Sequence, residues 1–509
     1  MSLPIERVRI EALSKLAVER VGAITDAEEK VLQASAARHR NPQKSERRPE
    51  VRSEFLRWLI TDRDAANYID PLGIFVANAT ISSSLELQFC SAPWPLIFVS
   101  CTFLGDLLLA SAEFPTLYVI DCKTDHMIEA NGLIAPGGVF LNNLQAGGEL
   151  HFEAARIGNP FNCQGAKLSL TDDALFATEA RFDSVFLNKG FSCAGRVILL
   201  RAQIDGHLSC YGASVSVMTC DLMQVKGDFT WVGIKGVSVP MKGVSVPALS
   251  LRDATVGMLH DDRASWPSKG RLHLVGFEYG DLVLHEHPSE GELAEESLPR
   301  EIVLNADDRM EWLRRQSDVE INEPQPWMQL AKVLEAHGNA AGAENVIYEF
   351  RRQQVHAASP LVRLTTLPFD LLEEQPLGVL WPMGLSWLIG SLVFWRAHRM
   401  KAMAPTDKEA YEEFRKSKKA PTTYPTFNPV VYALENILPV VKFGHDNAWG
   451  PDPLKTAQTK FPGRPKMQWT RWLPGLNYRW LAVFRWTLIL FGWTLVIILI
   501  AAINRSFRN

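Results

Sequence analysis

Apolar and polar residues alternate in short segments from Gly73 onward, and Gly, Asn, Asp and Ala interrupt the alternation. Comparable apolar positions recur at intervals in the low twenties, at Ile157, Phe182, Ile204 and Val225. A period of this length predicts a β-solenoid, because each coil buries its apolar face only by stacking on the next coil. A β-sandwich or barrel is the competing interpretation, but few of the Asn-Gly or Pro-Gly hairpin signals that it requires are present.

Helical spacing of apolar residues flanks the predicted solenoid on both sides. Val51, Phe55 and Leu59 precede it at helical spacing, and two apolar stripes separated by Gly338 follow it and resemble a tetratricopeptide-like helical hairpin. The fold class is therefore expected to be mainly β, with helices at each end. We expect four regions: an N-terminal helical cap over 1–71, a β-solenoid over 72–288, a helical hairpin connector over 302–360 and a membrane region over 361–509.

Two long apolar runs near the C-terminus predict transmembrane helices, with bounds of 377–395 and 481–503. The first run, Leu377 to Trp395, contains no charged residue, and Trp381 and Trp395 lie near its ends. Uncharged stretches of this length span the hydrocarbon core, and tryptophans are enriched where such helices reach the interface. We therefore expect a two-helix transmembrane region and a lipid bilayer as a partner.

The N-terminus lacks the apolar core of a signal peptide, which indicates that the solenoid stays in the cytosol. Two crossings then place the loop 396–480 outside the cell. That loop is rich in lysine and arginine, against the positive-inside rule, but the rule is counted over loops shorter than about 60 residues. We expect a bacterial inner-membrane protein with its solenoid on the cytosolic side.

The segment 428–449 lies between the two predicted membrane helices and is too short and too polar to cross a membrane. An amphipathic interfacial helix or a re-entrant segment is typical of this position. Its order resembles the pore helix and filter of two-helix potassium channels, although Pro439 replaces the filter threonine. An interfacial helix is favoured, with a pore as the alternative. The residues that would form either one are Glu435, Pro439, Lys442, Gly444, His445 and Asp446.

Composition and motifs give no support for catalysis. Hydrophobic residues make up 47% of the chain and charged residues 22%, with a net charge of -4. This net charge argues neither for nor against nucleic acid, and we expect no nucleic-acid partner. No nucleotide-binding loop, GxSxG elbow or HExxH motif is present. The seven cysteines include no CxxC pair and are expected to be free, buried thiols.

Two short polar runs are the strongest metal-ligand candidates in the sequence. His260 to Asp262 reads "HDD" and His285 to His287 reads "HEH". The two runs would ligate a metal only if folded together, and neither has an established ligand spacing. We expect them to be solvated turn residues, and we expect no metal and no cofactor.

In combination, "VRSEFLRWLI", "GIFVANATISSSLEL", "DRMEWLRRQ", "PQPWMQLAKVLEAHG" and "NPVVYALENILPVVKFG" resemble an uncharacterised group of bacterial membrane proteins. The resemblance implies a right-handed, pentapeptide-like β-solenoid followed by a C-terminal transmembrane region. Some members carry the label of membrane-associated oxidoreductase. No flavin, nicotinamide or haem fingerprint in this sequence supports that label.

The function expected from these patterns is non-enzymatic. A solenoid offers a long rigid face, which suits a cytosolic platform or sensor that binds a protein partner not identified by the sequence. The alternative is an oligomeric ion or small-solute pore that the solenoid gates. Either function is compatible with a homo-oligomer.

Overall fold

A computed structural model describes most of the chain, and two compact units divide it, Met1–Gln354 and Val355–Asn509. The first unit contains the solenoid and the second contains the apolar helices. The described residues are 4–37, 48–158, 160–239, 243–244, 248–289, 291, 298–302, 305–357, 380–417, 419–438, 443–453 and 478–506.

The first unit confirms the predicted β-solenoid, with about nine coils. Successive coils pair as parallel strands, so that Ile74 lies opposite Leu96, Leu96 opposite Leu117 and Leu117 opposite Val139. Each of these steps equals the sequence period of 21 or 22 residues. The apolar repeat in the sequence is therefore the length of one coil.

Three or four short strands form each early coil, and strands of successive coils stack into four faces, numbered here in chain order. Face 1 contains Ile74–Ala77, Leu96–Val99, Leu117–Ile120, Val139–Phe140, Phe161–Asn162, Val185–Phe186 and Leu208–Ser209. Face 2 contains Glu50–Val51, Thr80–Ile81, Thr102–Phe103, Lys123–Thr124, Gln145–Ala146 and Lys167–Leu168. Face 3 contains Leu85–Glu86, Leu107–Leu108, Ile128–Glu129, Leu150–His151 and Asp173–Phe176. Face 4 contains Ile134–Ala135, Arg156–Ile157, Arg181–Phe182 and Gln203–Ile204.

Longer strands replace pairs of short strands in the later coils. Faces 2 and 3 continue in Ser192–Ile198, Ser214–Thr219, Ala248–Ser250 and Leu272–His273. Faces 4 and 1 continue in Gln224–Trp231, Thr255–Asp262 and Glu278–His285. Two short antiparallel pairs complete the strands of this unit, Glu301–Ile302 with Glu278–His285 and Ser238–Val239 with Gly243–Val244.

Residues in the left-handed backbone region form the corner of each coil. Asn78, Ser100, Asp121 and Asn143 have φ between 50° and 57° and stack in successive coils after face 1. Asparagine and aspartate tolerate this region better than most residues. The Asn143 side-chain amide also donates to the Asp121 carboxylate at 2.9 Å, which links one corner to the next.

Four helices form the N-terminal cap: α1 (Pro4–Val21), α2 (Asp26–Ala36), α3 (Ser53–Thr61) and α4 (Arg63–Ala66). A capping box starts α2, because Thr25 and Glu28 each accept the backbone N–H of the other. The fully buried Glu28 carboxylate also accepts the Arg52 guanidinium at 2.8 Å. Burial alone raises the pKa of Glu28, but the hydrogen bonds from Arg52 and the backbone outweigh it and lower the pKa.

Helical elements cover the other end of the solenoid. They are a 3-10 turn at Arg263–Ser265, α5 (Ala306–Leu313), a 3-10 turn at Glu320–Asn322, α6 (Pro324–Ala336) and α7 (Ala340–Ala357). The predicted helical hairpin is confirmed as α6 and α7, with Gly338 at φ 77° between them. This covering protects the last strands, whose open edge would otherwise pair with another chain.

The second unit contains α8 (Leu380–Arg399), α9 (Lys408–Ser417), α10 (Pro429–Ile437), α11 (His445–Ala448) and α12 (Tyr478–Ser506). Strands Met403–Pro405 and Trp449–Pro451 pair antiparallel between the two long helices. Of the two predicted membrane helices, the run 377–395 begins outside the described residues. Among the described residues, Tyr478–Ile500 is the one helix long and apolar enough to cross a membrane.

Candidate functional site

The segment 428–449 begins with a capped helix. Asn428 accepts the backbone N–H of Val430 through its side chain, and Pro429 occupies the first helical turn, where a missing N–H costs nothing. Helix α10 ends at Ile437, and α11 follows after Gly444, which has φ 86°. The sequence thus folds into two short helices within one segment.

Glu435 closes this segment on itself. Its carboxylate is buried and accepts the backbone N–H groups of Phe443 and of His445, the latter at 3.2 Å. Gly444 is exposed, His445 is partly buried, and Asp446 lies in α11. Pro439 and Lys442 lie outside the described residues. Glu435 of α10 and His445 of α11 therefore lie together, because the His445 backbone N–H donates to the Glu435 carboxylate.

Helix α10 packs against both long helices of the second unit. A Cβ atom on Gly390 of α8 would lie 3.3 Å from Ala433, and one on Gly492 of α12 would lie 2.2 Å from the Ile437 carbonyl oxygen. Arg485 of α12 donates to the Asn436 side chain at 3.0 Å and lies over the Tyr432 ring at 5.6 Å. The segment is therefore an integral part of a three-helix contact.

Aromatic rings fix the remainder of the segment. The Trp449 ring lies 5.3 Å from Phe427, 5.9 Å from Tyr424 and 5.9 Å from His398. The Trp449 indole N–H also donates to the Pro425 carbonyl at 2.9 Å. Tyrosine and tryptophan combine an apolar ring with a polar atom, a combination enriched where membrane proteins meet the headgroup region.

Large apolar side chains point away from the protein on both long helices. Trp381 of α8 is 83% exposed, and Trp486, Leu490 and Ile497 of α12 are 61–65% exposed. Only 17% of the apolar window of α12 is buried. Exposed apolar patches of this extent mark contact with a membrane or a protein.

A second polar cluster lies at the end of the solenoid, where adjacent strands bring the two short polar runs together. His260 Nδ1 and His285 Nε2 are 2.9 Å apart, and His287 Nδ1 is 2.7 Å from Asp262 Oδ2. Our prediction that these are solvated turn residues is wrong for His260, Asp261, Asp262 and His285, which are buried in strands. Glu286 and His287 follow the strand and are exposed. The turn Arg263–Ser265 contacts Asp262 through the Ser265 hydroxyl, and strand Glu301–Ile302 pairs with Leu284 and His285.

The arrangement does not gather metal ligands. Within the described part of the chain, no group of three or more His, Cys, Asp or Glu side chains is placed to hold a metal ion. Asp262 also accepts from the Ser265 hydroxyl, so its carboxylate separates that hydroxyl from His287. A serine nucleophile needs the imidazole next to the hydroxyl, and this order does not provide it.

Sequence reasoning missed the buried pair of Asp261 and Arg309. The Arg309 guanidinium is fully buried and donates to Asp261 Oδ2 at 2.7 Å, and the Trp266 indole N–H donates to the same oxygen at 2.9 Å. Asp261 Oδ1, Arg309 Nε and Nη2, and the Tyr279 hydroxyl have no hydrogen-bond partner among the described residues. The sequence did contain a signal for the burial of Asp261. Leu259 faces the core, and side chains of a strand alternate between its two faces, so Asp261, two residues later, also faces the core.

We expect the histidine pair to make the stability of the first unit pH-dependent. Burial, followed by the nearby His285, lowers the pKa of His260 from 6.5. Below pH 6.5 the unfolded chain therefore binds a proton that the folded chain does not. The stabilisation that comes from burying neutral His260 is complete above pH 6.5. It is lost as the pH falls from 6.5 toward the lowered pKa of the folded state, by up to about 1.4 kcal/mol per pH unit.

Urea unfolding of the full chain between pH 5 and pH 8 measures this dependence. The variant His260→Gln should flatten the profile below pH 6.5, whereas the control His126→Gln, at an exposed position, should retain the profile of the unmodified chain. Identical profiles for all three chains would contradict a role for the pair.

No protein-family model, no curated protein and no solved structure matches this chain. The fold and the contacts described above therefore carry the functional argument.

Proposed function

We propose that the protein is a non-enzymatic, membrane-anchored β-solenoid that presents a rigid protein-binding surface. In this proposal α8 and α12 form a two-helix transmembrane region of the bacterial inner membrane. The solenoid, right-handed and pentapeptide-like, lies on the cytosolic side. The observation that carries the proposal is the apolar surface of α12, where large side chains are exposed along a helix long enough to cross a bilayer.

The contacts of α10 support an anchoring role for the segment 428–449. The Glu435 carboxylate is engaged with backbone N–H groups, and Asn436 is engaged with Arg485. Groups that line an ion path would face water or the permeating ion instead. This arrangement favours a structural interfacial helix over the pore.

The experiment that tests the proposal measures the sidedness of two exposed positions. Six of the seven cysteines are buried, so replacing the partly exposed Cys90 by alanine removes the accessible native thiol. Asn447→Cys and Lys226→Cys, made separately in that background, are treated in intact cells with a membrane-impermeant maleimide. Membrane fractions are washed with carbonate in parallel.

We expect a carbonate-resistant protein that is labelled at position 447 from outside and at position 226 only after permeabilisation. Labelling of position 226 in intact cells would place the solenoid outside and overturn the cytosolic platform. Absence of labelling at both positions in intact cells would rule out the two-crossing topology. Release of the protein by carbonate would overturn the anchor itself.

A further inference from the structure

Face 1 of the solenoid differs from the other faces in charge. Its strands, from Ile74–Ala77 to Leu208–Ser209, carry no Asp, Glu, Lys or Arg at any outward position. Outward positions on the other faces hold charged residues in the same coils. Examples are Lys123 and Lys167 on face 2, and Arg156 and Arg181 on face 4.

The early coils make face 1 apolar as well as uncharged. Phe75, Ile97, Tyr118 and Phe140 occupy one outward column, and each is partly exposed. The Tyr118 and Phe140 rings are stacked at 4.6 Å with an interplanar angle of 11°. Because the strands are in register, these side chains form a continuous column along the face.

We propose that face 1 is the contact surface between two copies of this chain. In a two-fold symmetric dimer the same patch lies on both subunits, so a charged patch would bring like charges together. Face 1 avoids that repulsion along its whole length. Its column of aromatic and branched side chains supplies the apolar contact that the centre of an interface requires.

The area of face 1 fits a membrane-dependent dimer. Three of its seven strands have four residues and are about 13 Å long, and the other four have two residues and are about 7 Å long. At a spacing of about 4.8 Å they give a flat area of roughly 300 Å² on each copy. A contact burying roughly 600 Å² in total lies at the small end of weak, transient interfaces, so face 1 alone does not hold a stable dimer. Anchoring both copies in one bilayer raises their effective concentration, and the proposal rests on the proposed membrane anchor for that contribution alone.

A charge-swap experiment tests the identity of the partner. Tyr118→Asp places two carboxylates across the interface of a symmetric dimer, and Tyr118→Lys places two ammonium groups there. We expect each variant alone to lower the dimer fraction at least tenfold in native membranes. Co-expression of the two variants should restore the dimer, because opposite charges then face each other only in the mixed pair.

The dimer fraction is read by cross-linking with a short bis-maleimide. A single cysteine replaces Ile97, in the Cys90→Ala background, so that the reagent meets one accessible thiol on face 1. The matched control replaces Leu108 by cysteine, at a partly exposed outward position of face 3. Leu108→Asp, made in the Ile97→Cys chain, is the control for added charge and should leave the dimer unchanged.

Equal cross-linking of the Ile97 and Leu108 cysteines would overturn the assignment of face 1. Failure of the Asp and Lys variants to restore the dimer together would overturn a second copy as the occupant. A product of higher mass that contains another protein and is lost with Tyr118→Asp would show that a different partner binds this face. Carbonate washing of the same membranes reports separately on the anchor.

Discussion

Replacing Arg309 by methionine is expected to lower the free energy of unfolding of the first unit by about 3–5 kcal/mol. The substitution leaves the Asp261 carboxylate buried without its counter-charge, and removing one partner of a buried ion pair has a cost of this size. Asp261 occupies an inward position, and its side chain is only 2% exposed. Urea unfolding of the full chain in detergent, followed by far-UV circular dichroism, measures the change.

The double variant Asp261→Leu with Arg309→Met is expected to regain most of this loss. Both buried charges are then absent, together with the unpartnered Asp261 Oδ1 and Arg309 Nε and Nη2 atoms. Apolar replacement of a whole buried pair is often neutral or stabilising. The Trp266 indole N–H loses its acceptor, so we expect the double variant to remain about 1–2 kcal/mol below the unmodified chain.

The matched control is Arg314→Met at the end of the same helix. Arg314 pairs with Glu349 at 3.3 Å, and its side chain is 46% exposed, so its loss should cost less than about 1 kcal/mol. If Arg309→Met and Arg314→Met had equal effects, the Asp261–Arg309 pair would contribute no more than a surface pair.

The solenoid could be predicted from the sequence because its determinant is periodic. Each coil repeats the apolar position of the previous coil, as at Phe182 and Ile204, and one period is enough to fix parallel pairing. The conformation of the corners could not be predicted from the sequence in the same way. Lys189, Arg201 and Leu222 adopt positive φ at corners, although their side chains carry no signal for that conformation. The stacking of neighbouring coils imposes it.

The candidate sites show where local patterns stop being sufficient. The run "HDD" reads as a polar turn in isolation, and it is buried because strand Glu278–His285 pairs with the strand that contains it and Arg309 of α5 contacts Asp261. The segment 428–449 was predictable as a short helix from its length and its position between two apolar runs. Its contacts with Gly390 and Gly492 were not, because they join residues more than forty positions apart.

Gly492→Leu is expected to lower the stability of the second unit by about 3 kcal/mol, the upper end of the usual cost of overpacking. The added Cβ would lie 2.2 Å from the Ile437 carbonyl oxygen and 2.8 Å from the Ile437 Cα atom. The obstructing atoms belong to the backbone and cannot turn aside as a side chain does. Helix α10 must therefore move away from α12, which breaks the bond from Arg485 to Asn436 at the same contact.

The control is Gly384→Leu on α8, where an added Cβ meets no atom within 4 Å. Both variants add the same apolar side chain to an apolar helix, so a difference in stability isolates the contact with α10. Thermal unfolding in detergent gives the stability, and labelling of Asn447→Cys in each background reports whether the segment has moved. Equal stability and labelling for the two variants would show that α10 does not pack on α12, and the segment would then lose its anchoring role.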